Sequence, residues 1–354
     1  MVQAVEIIEL IKKHPTKVFS FGFDIGNLHG RIQWGKKKSE RQICASYVLE
    51  IEEDKSFPGM YKCLTSTASH KYVNKCWLTG AEALDVNQRA GSWVKNDNVG
   101  KAELAFPIFA HLAWDEIEAE NTVLNVALSV HDPAALKKQA KANLEGIHEV
   151  EKDGVVKKFE IKVLAVYAEG IGVIRGEKAK KLSFLFDLGS NTLIGSAFVG
   201  YESRCEPWYG EFIAGNQLIT NIASCSKISE ILKRKPTFEE VRQCLENPVA
   251  ETKVNKKGES RNISKYKIAG KDITEVVNCE AEKWLKEGLN DLEGMHRKNI
   301  VESQDKIATG GCCLIPKVKE ILQARGYRIA AEPLWSNVNG LFEIAETLTK
   351  KVGG

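Results

Sequence analysis

Phe23-Asp24-Ile25-Gly26-Asn27 and Phe186-Asp187-Leu188-Gly189-Ser190-Asn191 are two copies of one short device. Each closes an apolar run that reads as a strand, from Val18 in the first case and from Lys181 in the second. Each then offers Asp, Gly and a small polar residue. A second run suited to a returning strand follows, Arg31-Ile32-Gln33-Trp34 in one half and Leu193 to Val199 in the other. Glycine lets backbone amides come close to phosphate oxygens. An aspartate at the strand end is placed to hold a hydrated Mg²⁺. One such turn alone is an ordinary hairpin. Two, at matching places in the two halves, suit a nucleoside triphosphate gripped from both sides.

Other pieces fall in order around these turns. Tyr167-Ala168-Glu169-Gly170 ends a strand that lies between them. Gly210 to Leu218, containing Gly215, leads into a helix. Ile307-Ala308-Thr309-Gly310-Gly311 is a strand ending in a glycine pair, where backbone can approach a flat base and ribose. Periodicity and end signals predict helices over 3–13, 101–117, 133–147, 217–232, 237–247, 273–292 and 315–324, and a terminal helix carrying Leu341, Ile344, Ala345 and Leu348. Asp132 and Pro133 supply an N-cap and a first helical turn. Strands are expected at 43–51, 77–79, 122–129, 159–167 and 305–309, and Lys257-Gly258 reads as a hairpin turn.

Composition removes several classes. The chain has 354 residues, 43% hydrophobic and 27% charged, with a net charge of only +3, so it is neither disordered nor built to coat nucleic acid directly. Its length suits two domains. No run reaches the ~18 apolar residues of a membrane span, and the N-terminus lacks the basic region and cleavage site of a signal peptide. The nine cysteines are scattered without zinc-ribbon or CxxC spacing, which reads as reduced thiols in a cytoplasmic protein, mostly small buried hydrophobes.

The whole set resembles the actin-like ATPase superfamily, whose two phosphate hairpins, two connecting segments and adenosine segment can all be assigned here in order. Within it the chain is most similar to bacterial ParM (StbA) plasmid-segregation proteins. Four stretches carry that resemblance: Phe23 to Asn27 with Gln33-Trp34; Ser129-Val130-His131-Asp132-Pro133 with Lys141-Ala142-Asn143-Leu144; Val166 to Gly172; and Glu332-Pro333-Leu334-Trp335-Ser336-Asn337-Val338-Asn339-Gly340-Leu341.

The resemblance implies an α/β fold of two duplicated ribonuclease-H-like domains with a nucleotide cleft between them. Domain I would span 1–181 and 333–354, and domain II 182–332. It implies that Asp24 and Asp187 hold Mg²⁺ through water. Gly26, Asn27, Leu28, Gly189, Ser190 and Asn191 would line the phosphates. His29, by its place in the turn, is close enough to face the γ-phosphate, with a plain loop histidine as the alternative. Gly215, Gly310 and Gly311 would approach ribose and adenine. Glu169 would orient the attacking water, a role in which positioning matters more than covalent chemistry. The activity implied is hydrolysis of ATP, or of GTP, coupled to head-to-tail filament assembly. A DNA-binding adaptor would link the filament to plasmid or similar cargo, without direct nucleic-acid or membrane contact by this chain. A small-molecule kinase of the same superfamily and a non-polymerising regulatory ATPase are the alternatives. Departures from the family pattern stand out. Where a second Gly or a Ser/Thr and a Lys often follow soon after the Asp-x-Gly, the first turn has Asn27-Leu28-His29-Gly30 and the second Ser190-Asn191-Thr192. Cys312 stands where a third Gly is common.

Overall fold

A computed structural model describes residues 17–26, 28–88, 90–93, 100–118, 121–210, 213–254 and 260–352. The expected helix over 3–13 and the Lys257-Gly258 turn lie outside them. The chain divides into two compact units, residues 1–178 with 335–354, and residues 179–334. No helix among the described residues is long and apolar enough to cross a membrane.

The first unit is organised by its first strand, β1 (Lys17–Ile25). Successive side chains of a strand point to opposite faces. Phe21, Phe23 and Ile25 are buried on one face of β1, where Phe21 and Phe23 meet Phe109 at ring-centroid distances of 5.5 and 5.1 Å. Ser20, Gly22 and Asp24 occupy the other face and meet the terminal helix, Ser336–Val352. The sheet continues through β2 (His29–Gln33), β3 (Arg41–Ala45), β4 (Tyr47–Ile51), β5 (Tyr61–Ser66), β6 (Cys76–Thr79), β7 (Ser92–Trp93), β8 (Thr122–Val130), β9 (Gly146–Lys152) and β10 (Val155–Ala168). Its ten strands run in the order β3-β2-β1-β8-β10-β9-β5-β6-β4-β7. β1, β2 and β3 form antiparallel neighbours, whereas β8 runs parallel to both β1 and β10. Helices α1 (Ala81–Val86), α2 (Gly100–Ala113), α3 (Pro133–Leu144) and α4 (Ile171–Gly176) complete the unit. The Asp132 side chain accepts from Ala135 N at the start of α3, the N-cap its sequence signals.

The second unit repeats the central plan. Its strands are β11 (Leu182–Leu188), β12 (Leu193–Val199), β13 (Glu202–Ser203), β14 (Trp208–Gly210), the hairpin β15 (Val249–Val254) and β16 (Ser260–Lys265), β17 (Lys267–Ile268), β18 (Lys271–Asp272), β19 (Asp305–Thr309) and β20 (Arg328–Ile329). The order β13-β12-β11-β19-β20 matches β3-β2-β1-β8-β10, with two antiparallel and two parallel pairings in the same places. Helices α5 (Gly215–Ser224), α6 (Ser226–Leu232), α7 (Phe238–Glu246), α8 (Thr274–Glu302) and α9 (Pro316–Ala324) accompany it. Thr237 and Glu240 cap α7 reciprocally. Trp284 of α8, 1% exposed, anchors the core and donates Nε1–H to the carbonyl of Ala214 at 3.1 Å.

Several expected elements are subdivided. The stretch 43–51 is two strands with Ser46 between them, β3 pairing with β2 and β4 with β6 and β7. The helix expected over 217–232 breaks at Cys225, whose extended backbone (φ −67°, ψ 125°) separates α5 from α6. The helix expected to reach residue 147 stops at Leu144, because 146–152 is strand β9 paired with β10. The helix expected to end at 292 continues to Glu302 through a kink at His296.

Two packing features yield predictions. The terminal helix crosses α4 with backbone against backbone. A Cβ on Gly172 would collide with Asn337, and one on Gly340 would collide with the Gly172 carbonyl. Neither obstacle is a flexible side-chain tip, so Gly340→Ala should destabilise the first unit by about 1–3 kcal/mol or more, read as a lower denaturant midpoint. Separately, His70 and His148 are 5% and 0% exposed and lie with their rings 5.5 Å apart beside Phe106. Burial pushes His70 down to about 4. Burial and the neighbouring His70 push His148 down to about 3. Nε2 of His148 donates to the Leu144 carbonyl, which fixes the neutral tautomer with Nδ1 facing Ser66 Oγ at 3.0 Å. Unfolding releases both to their ordinary range, so the unfolded chain takes up protons first as pH falls. Their contribution is therefore fully present above pH ~6.5 and declines toward pH ~4 by roughly 1.4 kcal/mol per unit for each histidine. Unfolding free energies measured at pH 7 and 5 should differ accordingly, and His70→Phe should reduce that dependence.

Candidate functional site

The two aspartate turns are the same object at atomic detail. Gly26 N donates to His29 O at 3.1 Å, and Gly189 N donates to Thr192 O at 3.1 Å. A Cβ on either glycine would lie 2.8 Å from that same carbonyl, so both turns exclude any larger residue. Across each hairpin the aspartate faces the residue seven further on, Asp24 opposite Arg31 and Asp187 opposite Ile194. On its other side each faces a hydroxyl residue of the parallel neighbour, Ser129 for Asp24 and Thr309 for Asp187.

In the first unit these registers gather polar and charged side chains at the carboxyl ends of β1, β8 and β10, the end at which open α/β sheets bind ligands. Asp24 Oδ2 is 3.3 Å from Arg31 Nη1, and Oδ1 accepts from Asn337 Nδ2 at 2.8 Å. The same Asn337 amide donates to Ser129 Oγ at 3.0 Å. Ser46 secures the turn from the side: its Oγ donates to Gly26 O at 2.6 Å and its N–H to Leu28 O at 2.9 Å. Asn27 lies outside the described residues. Glu169 follows the last residue of β10, and its N–H donates to Val130 O, extending the β8–β10 ladder by one step. Gly170 then takes φ 90°, which turns the chain into α4.

Glu169 has a partner that sequence reading does not supply. Lys101, in the first turn of α2 and 2% exposed, donates Nζ–H to Glu169 Oε1. A lysine this buried requires a counter-charge, and Glu169 provides it. The pair keeps the carboxylate oriented at the strand end. Arg31, Asn337 and Ser129 are likewise absent from the sequence-derived set. Arg31 had a usable signal in its place opposite Asp24 in a short hairpin, whereas Ser129 and Asn337 lie in stretches that carry the family resemblance but do not by themselves mark a contact with Asp24.

In the second unit the expected phosphate and adenosine segments converge. The first two amides of α5 dock on the turn, Gly215 N to Gly189 O at 3.0 Å and Asn216 N to Ser190 O at 2.7 Å. Asn216 Nδ2 also donates to Asn191 Oδ1. Gly310 takes φ 90° beside the same turn, where a Cβ would come within 2.5 Å of Asp187 Oδ1 and Leu188 O. Its N–H donates to Pro333 O at 3.1 Å. Cys312 Sγ would lie 2.7 Å from a Cβ on Gly215, so Gly215 leaves room for the thiol. Burial, then the charge of Asp187, pushes that thiol up to about 12, which keeps it protonated and inert. Asp187, Gly189, Ser190, Asn191, Gly215 and Gly310 thus form one cluster, with Gly311 next along the chain against Leu334.

No protein-family model matches the chain, and no curated protein matches it in sequence. Solved structures do. The psk41 ParM protein superposes with a TM-score of 0.66 at 16% identity, over 96% of this chain and 100% of its own. An archaeal actin homologue gives 0.67 at 17% identity, over 94% and 99%. Bacillus thuringiensis ParM with AMPPNP gives 0.67 at 16% identity, also over 94% and 99%. Together with the duplicated strand order and the matched turns, these similarities show that the chain has the actin-like fold of the ParM type.

Proposed function

We propose that this protein is a nucleotide-dependent, filament-forming actin-like ATPase. The observation that carries the reading is the identity of the two turns: the same hydrogen bond, the same excluded Cβ and the same aspartate register, one in each unit. Structures of B. thuringiensis ParM with ATP and with ADP share the fold, which supports ATP as the ligand, with GTP as the alternative. Gly26, Asn27, Leu28, Gly189, Ser190 and Asn191 would line the phosphates, and Gly215, Gly310 and Gly311 the nucleoside.

The donor chemistry also fits Mg²⁺. Among the described residues no group of three or more His, Cys, Asp or Glu side chains could hold a metal ion unaided. Mg²⁺ needs no such cage, since it keeps several waters and takes its remaining ligands from phosphates and one or two carboxylates. Asp24 and Asp187 would hold it through water beside the glycine cradles. When bound, Mg²⁺ neutralises phosphate charge. Glu169, steadied by Lys101, would orient the attacking water and receive its proton. Protomers of this fold would stack head to tail, a heterologous contact that does not close and so extends as a filament. The small net charge suits movement of DNA cargo through an adaptor, in a cytoplasmic setting.

Purified protein mixed with Mg-ATP or Mg-GTP should raise right-angle light scattering at tens of micromolar protein, with phosphate release following assembly. Phosphate release without any rise in scattering would leave a non-polymerising ATPase; phosphorylation of a sugar or acetate-like acceptor would point to the kinase alternative. Glu169→Ala should slow phosphate release by about 100-fold or more while nucleotide binding and the scattering rise persist; unchanged turnover would remove Glu169 from the mechanism.

The buried ion pair gives a second expectation. Lys101→Met strands a part-buried carboxylate, and breaking such a pair costs about 3–5 kcal/mol. Lys101→Met combined with Glu169→Gln should recover most of that loss in urea unfolding.

A further inference from the structure

The second unit holds another cluster of reactive side chains, away from the aspartate turn. Cys205 follows β13, and its Sγ lies 3.8 Å from Nδ1 of His296. Asn299, further along the same helix as His296, donates Nδ2–H to Cys205 Sγ at 3.3 Å, and this Nδ2 lies 3.2 Å from His296 Nδ1. His296 sits at the kink of α8, with φ −118° and ψ 16°, and is 8% exposed against the ring of Phe184. Arg204, next to Cys205, pairs with Glu302 near the end of α8 at 2.6 Å, which holds the cysteine's segment against the helix. Cys205 itself is only half-buried.

This is a nucleophile, a base and an orienting amide within contact of one another, the arrangement that activates a thiol. We propose that Cys205 is a site of S-thiolation, reacting with low-molecular-weight disulfides. Cys205 sulfur attacks one sulfur of the disulfide, forming a new S–S bond as the old one breaks. The thiol proton passes to His296 Nδ1 and from there to the departing sulfur, which leaves as a free thiol. The disulfide is the oxidant and is itself reduced, so no further co-reactant is needed. Asn299 Nδ2–H steadies the negative charge that develops on sulfur in the attack.

Other groups make the site selective. Burial lowers the tendency of His296 to carry a proton, so its ring is neutral and able to accept one at ordinary pH. Burial pushes the thiols of Cys44, Cys63 and Cys312 up to about 12 and that of Cys244 up to about 11, which keeps these four unreactive. Cys279 is exposed on the same helix as His296 and serves as an internal control.

The test exposes the full chain to oxidised glutathione at pH 7, quenches with acid, and maps the mixed disulfides by mass spectrometry over time. Cys205 should be modified at least tenfold faster than Cys279. His296→Gln and Asn299→Leu should each slow Cys205 about tenfold and leave the Cys279 rate unchanged. Faster reaction at Cys279, or a Cys205 rate indifferent to both substitutions, would overturn the proposal. If His296→Gln disturbs the kink and fails to fold, the half-buried Asn299 carries the same test.

Discussion

Everything at the two strand ends depends on one hydrogen bond made twice, from the amide of Gly26 or Gly189 to the carbonyl three residues on. The bond draws the turn so tight that a side chain at the glycine would meet the accepting oxygen. That closure sets the offset between the outgoing and returning strands, and the offset fixes which residue faces the aspartate. From there the parallel neighbours follow in register, bringing Ser129 beside Asp24 and Thr309 beside Asp187. A one-residue slip would turn the aspartate to the opposite face of its sheet.

The alternation of β1 joins this chemistry to stability. Its apolar face packs Phe21 and Phe23 on Phe109 of α2, and the same helix presents Lys101 to Glu169. Its opposite face takes the terminal helix, which supplies Asn337 to Asp24 and Ser129. Both helices that complete the strand-end cluster are therefore held by burial against a single strand. Gly22 and Gly172 allow the terminal helix its close approach, and their lack of side chains is a condition of Asn337 reaching its partners.

What could be read in advance was local. The aspartate turns, Glu169 at its strand end and the Asp132 cap each need only a few consecutive residues, so their physics is written in short stretches. The ParM-type fold was legible because those stretches occur in a fixed order. Lys101 was not, since a lysine in the first turn of a helix looks like any solvated charge until Glu169, 68 residues away, is seen to face it. Asn337 is 313 residues from Asp24 and gives no local sign of its role. The break at Cys225 escaped for a different reason: apolar spacing continues through it, and no glycine or proline marks the interruption. Strand β9 was hidden by helical periodicity running into it from α3, and its pairing with β10 settled the outcome.

Ser46 has one more consequence. It is the lone residue between β3 and β4, which have seven strands between them in the order of the ten-stranded sheet. For both to be reached within one residue, the sheet must curl back until its distant part meets its starting edge. Ser46 stands at that seam while gripping Gly26 and Leu28 through its hydroxyl and amide. In mechanical terms it is a pin: its hydroxyl and amide tie the start of β4 directly to the first turn, a link across the seam rather than along the seven strands that lie between.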